Sequence, residues 1–208
     1  QLQQIIDDCD KGYSTKSNIR ALMHQLLGYA AQNDIIDKDY TDYITFEKEQ
    51  TTIERRAYTE EEIADLWKHK DLHEYAATLV LIHQGMRLKE FRDMTRADVD
   101  YEAMTINIPK AKNAYSVRTI PINPVILPLL KEMELEDGHY TTMNAKSYGY
   151  FLDKVLHHTP YDCRHTFATR ANKMDIKTFV IQRIMGHKPK TLLEEVYTHL
   201  TMEELAEA

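Results

Sequence analysis

Cysteine is scarce in this chain of 208 residues: Cys9 and Cys163 are the whole complement. Two thiols cannot staple a disulfide framework, and these two lack any metal-ligand spacing, so a reducing compartment fits best. Long apolar runs are missing as well. No stretch approaches the ~20 residues that a membrane-spanning helix needs, and the opening "QLQQIIDDCDKG" does not have the form of a signal peptide. The expectation is a soluble protein of the cytoplasm, with no membrane partner. Internal repeats and low-complexity tracts are absent, which excludes solenoids and arrays.

An excess of basic residues is also lacking. The 26 Lys+Arg against 33 Asp+Glu leave a net charge of −7, which argues at face value against a nucleic-acid partner. Distribution changes that reading. Taking away the 5 basic and 9 acidic residues of 1–50 and the 5 glutamates of 194–208 leaves 21 basic against 19 acidic in the middle of the chain. Local placement decides more than the total.

With 43% hydrophobic residues there is enough apolar material for a packed core. Leu2, Ile5, Ile6 and Cys9 lie on one face of what reads as the last turns of a helix stopped by Gly12, so the chain is expected to open inside a domain. Ile19, Leu22, Met23, Leu26, Leu27 and Ala30 keep the rhythm of an amphipathic helix started by the Ser/Thr cluster at 14–17. Two helices make a thin core, so further partners are expected. Residues 44–57 are polar and aperiodic and read as a linker, which puts a boundary near 50–56.

Thr59 and Glu62 then form a capping-box pattern ahead of Ile63, Leu66 and Trp67. "YAATLVLIHQG" (75–85) is apolar nearly all round and predicts a central helix ended by Gly85, with a short helix, "MRLKEFRDM", after it. "MTINIP" and "YSVRTIPI" alternate β-branched residues around a polar turn, "KAKNA", and predict a β-hairpin. Asn123 and Pro124 restart helix. Tyr148, Phe151, Leu152, Val155 and Leu156 mark another, Phe167, Ala168 and Ala171 a third, and Ile176, Phe179, Val180 and Ile184 a fourth, closed by Gly186. Thr191 and Glu194 cap a last one carrying Val196 and Tyr197. The fold class is mainly α with a small antiparallel β-sheet or hairpin (α+β).

Several polar residues fall at element junctions, where a scaffold presents functional groups: Arg87 after Gly85, Lys112 in the hairpin turn, Arg164 at a helix mouth, His187 after Gly186, and Tyr197 on the last helix. Two arginines and a lysine suit a phosphodiester, since guanidinium binds paired phosphate oxygens bidentately. A tyrosine can attack phosphorus if its phenol, with an ordinary pKa of about 10, finds a proton acceptor or a cationic pocket. A lysine or histidine can protonate the leaving oxygen. Each residue has a plain structural reading too. Arg87 can pair with Glu90 one turn on, Lys112 can be a solvated turn residue, His187 can face a helix dipole, Tyr197 can be a core aromatic and His165 a core histidine.

Order and context decide between these. "HQGMRLKEF" (83–91), "TPYDCRHTFATR" (159–170), "IMGHK" (184–188) and "VYTHL" (196–200) resemble, in sequence order, the signature boxes of the tyrosine recombinase, or phage integrase, family. The resemblance covers residues 55–200, and "YSTKSNIRALMHQLLGYAAQNDII" is similar to the second half of that family's helical core-binding domain. It implies a core-binding part over 1–50 and a catalytic domain over 51–208, clamping double-stranded DNA. It further implies that Arg87 and Arg164 hold the scissile phosphate, that Lys112 (or Lys110) is the acid to the 5′-oxygen, and that His187 hydrogen-bonds the phosphate or the nucleophile. Tyr197 attacks to give a 3′-phosphotyrosyl link, and Glu90 supports Arg87. The link conserves the phosphodiester energy, so neither cofactor nor metal is implied, and the family assembles as a tetramer on DNA. Such enzymes serve phages and mobile elements of bacteria. Tyr161 departs from the pattern, which has histidine there: a neutral phenol donates a hydrogen bond to phosphate but accepts a proton poorly. Two other readings stay open, a nicking-resealing enzyme similar to type IB topoisomerases and a catalytically idle DNA-binding module of the same fold.

Overall fold

The computed structural model describes residues 1–47, 55–109, 116–133, 137–141, 143–187 and 201–207. The chain divides into two compact units, Gln1–Glu54 and Arg55–Ala208.

In the first unit α1 (Leu2–Asp7) precedes α2 (Tyr13–Gln32), and a 3-10 turn follows at Thr41–Tyr43. Gly12 is the N-cap of α2, so the Ser/Thr cluster lies inside that helix rather than starting it. Ile6 and Ile44 are buried, while His24 Nδ1 bonds Thr41 Oγ1 at 2.8 Å and ties α2 to the turn. The amphipathic face expected on these helices is only partly covered. Ile5 is 51% exposed, Leu22 57% and Leu26 61%, and α2 buries no residue fully. One short helix and a turn are too little surface to cover a 20-residue helix.

The second unit is built around α4 (His73–Gln84), whose Ala76, Ala77, Leu79, Val80, Leu81 and Ile82 are all buried. A helix apolar on every side needs neighbours on every side. α3 (Glu60–Lys68) supplies Ile63 and Leu66, fixed by the Thr59–Glu62 capping box. On α7 (Ala145–Lys154) the buried Tyr148 puts its hydroxyl 2.7 Å from Thr78 Oγ1, which satisfies both polar atoms inside the core. α8 (Pro160–Lys173) crosses α4 as well, its Thr166 hydroxyl accepting the Tyr58 amide at 2.8 Å.

The hairpin strands pair as expected. β2 (Thr105–Ile108) and β3 (Arg118–Pro121) are antiparallel with Ile106 opposite Ile120, and a third strand, β1 (Val99–Asp100), which the sequence pattern did not announce, joins the other edge of β2. Two residues are too few for alternation to register. Asn123 caps the turn into α6 (Leu127–Glu132) by accepting the Val125 amide. α9 (Thr178–Met185) ends at Gly186, and α10 (Met202–Ala206), capped by Thr201 and Glu204, buries Leu205 near β3. The predicted helix start at Thr191 lies outside the described residues.

α4 and α9 both stop on a left-handed glycine, Gly85 at φ 59° and Gly186 at φ 65°. At Gly85 a side chain would meet the Phe167 ring, with Cγ 2.7 Å from the added carbon. Gly85→Ala is expected to lose about 1–2 kcal/mol from the backbone conformation alone and more from the collision. A urea midpoint within error of the parent protein would contradict this.

Candidate functional site

Helices α4 and α9 end side by side in the second unit, and the last carbonyls of a helix have no partner of their own. At α9 the accounting is complete. Gln182 O takes the His187 amide and Arg183 O the Gly186 amide, the usual closure by a left-handed glycine. The next three carbonyls each receive a guanidinium. Arg118 Nε donates to Ile184 O at 2.6 Å, Arg164 Nη2 to Met185 O at 2.6 Å, and Arg87 Nη2 to Gly186 O at 3.2 Å. Arg164 Nη1 also reaches Gly85 O at 2.8 Å, so one side chain joins the C-termini of α4 and α9. Helix C-termini carry partial negative charge, which favours cations there.

Glu90 holds two of the three, Arg87 and Arg118. It is the third residue of α5 (Leu88–Asp93), and its Oε2 accepts the Arg87 amide at 2.8 Å while Oε1 accepts Arg87 Nη1 at 2.6 Å. On its other side Arg118 donates through both terminal nitrogens, at 3.2 and 3.1 Å. The Arg118 side chain is fully buried and Glu90 nearly so. Burial pushes the Glu90 carboxyl up, but the Arg118 and Arg87 hydrogen bonds and charges outweigh it and hold the group below the ordinary carboxylate range. Burial, with the neighbouring charge of Arg87, brings the Arg164 guanidinium down to about 10, so it stays protonated at neutral pH. Three guanidiniums thus stand near one carboxylate, which bonds two of them. Among the described residues the cluster keeps a surplus of positive charge in a largely dry setting, which is a site for an anion.

Of the residues singled out from the sequence, the structure brings Arg87, Glu90 and Arg164 together and sets His187 one residue past the Gly186 carbonyl that Arg87 holds. Tyr161, Arg164, His165, Gln182 and His187 line a cleft of about 250 Å³. Lys112 and its alternative Lys110 lie outside the described residues, as does Tyr197. Two expectations need correction. Arg164 is not at the mouth of its helix: Thr159 caps α8 together with Asp162, which leaves Arg164 in the second turn, 3% exposed and turned toward carbonyls. His165 is not a core histidine; it is exposed on the cleft, because the residue after an inward-facing Arg164 is carried round the helix to the open side.

Arg118 and Ser116 escaped the sequence reading. In β3 the residues 118 and 120 are buried and 119 is exposed, so Arg118 occupies the inward parity otherwise filled by isoleucine. A charged residue on the apolar parity of a strand was the available signal. Ser116 Oγ accepts from Arg87 and donates to Gly186 O at 3.1 Å. A larger hollow of about 430 Å³, lined by Ile82, Pro121, Phe167, Met174 and Leu205, holds none of the expected site residues and receives α10.

The fold is that of tyrosine recombinase catalytic domains. The Tn1549 transposon integrase in complex with circular intermediate DNA superposes with a TM-score of 0.72 at 21% identity, covering 97% of this chain and 80% of that one. A lambda integrase dimer bound to a COC′ core site gives 0.71 at 15% identity, covering 95% and 62%. The sequence profile described as the phage integrase family matches residues 54–145. Tyrosine recombinase XerA of Thermococcus onnurineus (strain NA1) is 28% identical over 148 residues, 62% of this chain and 52% of the relative. The transposase from transposon Tn916 of Enterococcus faecalis is 24% identical over 243 residues, 92% of this chain and 60% of its own. Over residues 54–145 the chain is similar to the phage integrase family of tyrosine recombinases. It spans between half and two thirds of the length of these curated relatives.

Because the folded-state pKa of Glu90 lies below its unfolded value, its contribution to stability is complete above the unfolded carboxylate pKa of ~4.3 and drains as pH falls through the lowered one. Glu90→Gln should therefore cost about 3–5 kcal/mol at pH 7 by leaving two guanidiniums without their carboxylate, and the gap to the parent protein should close in strong acid. Urea unfolding at both pH values checks this, and a gap that does not change with pH would be the contrary result.

Proposed function

We propose that the protein is a site-specific DNA recombinase that cuts and rejoins strands through a 3′-phosphotyrosyl intermediate, in the integration or excision of a phage or mobile element. The observation that supports this most directly is the cationic cluster on the α4 and α9 termini, with Arg87 and Arg164 donating beside a cleft lined by His187. Double-stranded DNA is the partner, and the names of the relatives point the same way. Recombination joins two duplexes, so the active form is an assembly of protomers on DNA, a tetramer when two sites are aligned. Residues 1–50 act as part of a core-binding domain and 51–208 as the catalytic domain. The setting is the cytoplasm of a bacterial cell.

In the proposed reaction Tyr197 gives up its phenol proton to solvent as its oxygen forms a bond to phosphorus and the bond from phosphorus to the 5′-oxygen breaks. Lys112 gives the departing 5′-oxygen its proton, with Lys110 as the alternative donor. Arg87 and Arg164 carry the charge that builds on the non-bridging oxygens, and His187 hydrogen-bonds one of them. Attack by a 5′-hydroxyl on the phosphotyrosine reverses the step and reseals a strand. Tyr161 stands where a proton acceptor is expected, which slows the chemistry without removing the clamp or the nucleophile.

A nicked suicide duplex that loses its short 5′ fragment tests the reading. The parent protein should trap DNA covalently, Tyr197→Phe should abolish the adduct, and Arg87→Ala or Arg164→Ala should slow it by ~10²-fold or more. DNA binding without any adduct would instead indicate an idle DNA-binding module, and relaxation of one duplex without joining two would indicate a nicking-resealing enzyme. On the same substrate Tyr161→His should form adduct faster; an unchanged rate would remove the argument about the proton acceptor.

A further inference from the structure

Arg55 and Arg56 stand side by side ahead of α3 and are engaged differently. Arg56 closes a two-pronged pair with Glu62 at 3.0 and 2.7 Å. Arg55 has its guanidinium carbon 4.2 Å from the centre of the Tyr161 ring, and among the described residues it makes no hydrogen bond or ion pair. A guanidinium lying over an aromatic face is held by the ring's quadrupole, while its N–H groups remain in its own plane and point outward.

The place of that stack gives it a use. Tyr161 is 54% exposed, lies three residues before Arg164, and lines the cleft shared with His187. The Arg87, Arg118 and Arg164 guanidiniums already serve carbonyls and Glu90, whereas among the described residues the Arg55 fork is uncommitted. We propose that the Tyr161 ring is a platform holding Arg55 at the rim of the cleft, where Arg55 contacts a phosphate of the bound DNA strand. This rests on the recombinase reading and adds to it a phosphate contact that depends on the face of Tyr161, not on its hydroxyl. An arginine already stacked gives up less side-chain freedom when it binds, so the ring raises affinity without touching the DNA itself.

The test uses a fluorescein-labelled duplex of random sequence, because phosphate contacts are sequence-independent, with anisotropy read across a salt series. Arg55→Ala should weaken binding roughly 3–10-fold at ~0.1 M salt and reduce the slope of log K against log salt by about 1. Tyr161→Ala should do the same, Tyr161→Phe should recover most of what Tyr161→Ala loses, and the double alanine variant should be no weaker than either single one. Both side chains are exposed, and a circular dichroism melt confirms that each variant is folded; should Tyr161→Ala fail that check, Arg55→Ala decides alone. A parental salt slope in Arg55→Ala, a Tyr161→Phe as weak as Tyr161→Ala, or additive losses would each overturn the proposal and leave the recombinase reading in place. Absence of salt-dependent binding by the parent protein would overturn both.

Discussion

The C-terminus of α9 is where the second unit is held together. A helix that ends inside a protein leaves carbonyls that must find donors, and here three of them are met by arginines from α8, from β3 and from the residue ahead of α5. Segments as far apart in sequence as 87, 118, 164 and 186 are thereby fixed to one point. Gly186 is part of the same arrangement. Its left-handed backbone turns the chain, and its missing side chain leaves room for the Arg118 guanidinium, whose Nη1 would lie 2.6 Å from an added Cβ. Placing His187 beside the cleft follows from that turn.

The arrangement joins stability to function through charge. A buried guanidinium is costly, and a carboxylate for each would have been the simplest compensation. Instead Glu90 serves two arginines directly, and helix-terminal carbonyls serve as neutral acceptors for the rest. Carbonyls satisfy the hydrogen bonds without cancelling the charge. The field left over is attractive to an anion, and the hydrogen bonds to carbonyls and Glu90 hold its sources in place. Fully pairing the arginines with acids would have stabilised the fold and weakened the site.

Much of this was legible in the sequence, for a physical reason. Arg87 and Arg164 flank glycine stops and a Pro-initiated helix, and such junctions leave patterns: Gly85 and Gly186 as left-handed caps, Thr59 and Glu62 as a capping box, alternation across Ile106 and Ile120. Arg118 was not legible in the same way, because its role depends on strand parity and on a partner 28 residues away. The inward turn of Arg164 was missed since the helix begins at Pro160, four residues earlier than a mouth at 164 requires. The start of α10 carries a signal of its own, since Thr201 and Glu204 have the spacing of a capping box.

Net charge is the property of this sequence that argues most strongly against a polyanionic partner, and the structure shows why the total is a poor guide to the potential at the site. Charge felt at a site depends on distance and on what lies between. Exposed carboxylates more than about 8 Å away are largely screened at physiological salt. The Arg118 side chain is fully buried and Arg164 is 3% exposed, so their field reaches the cleft through protein, where screening is weak. A few cations with fixed geometry and little water around them therefore set the local potential, and the sum over the whole chain does not.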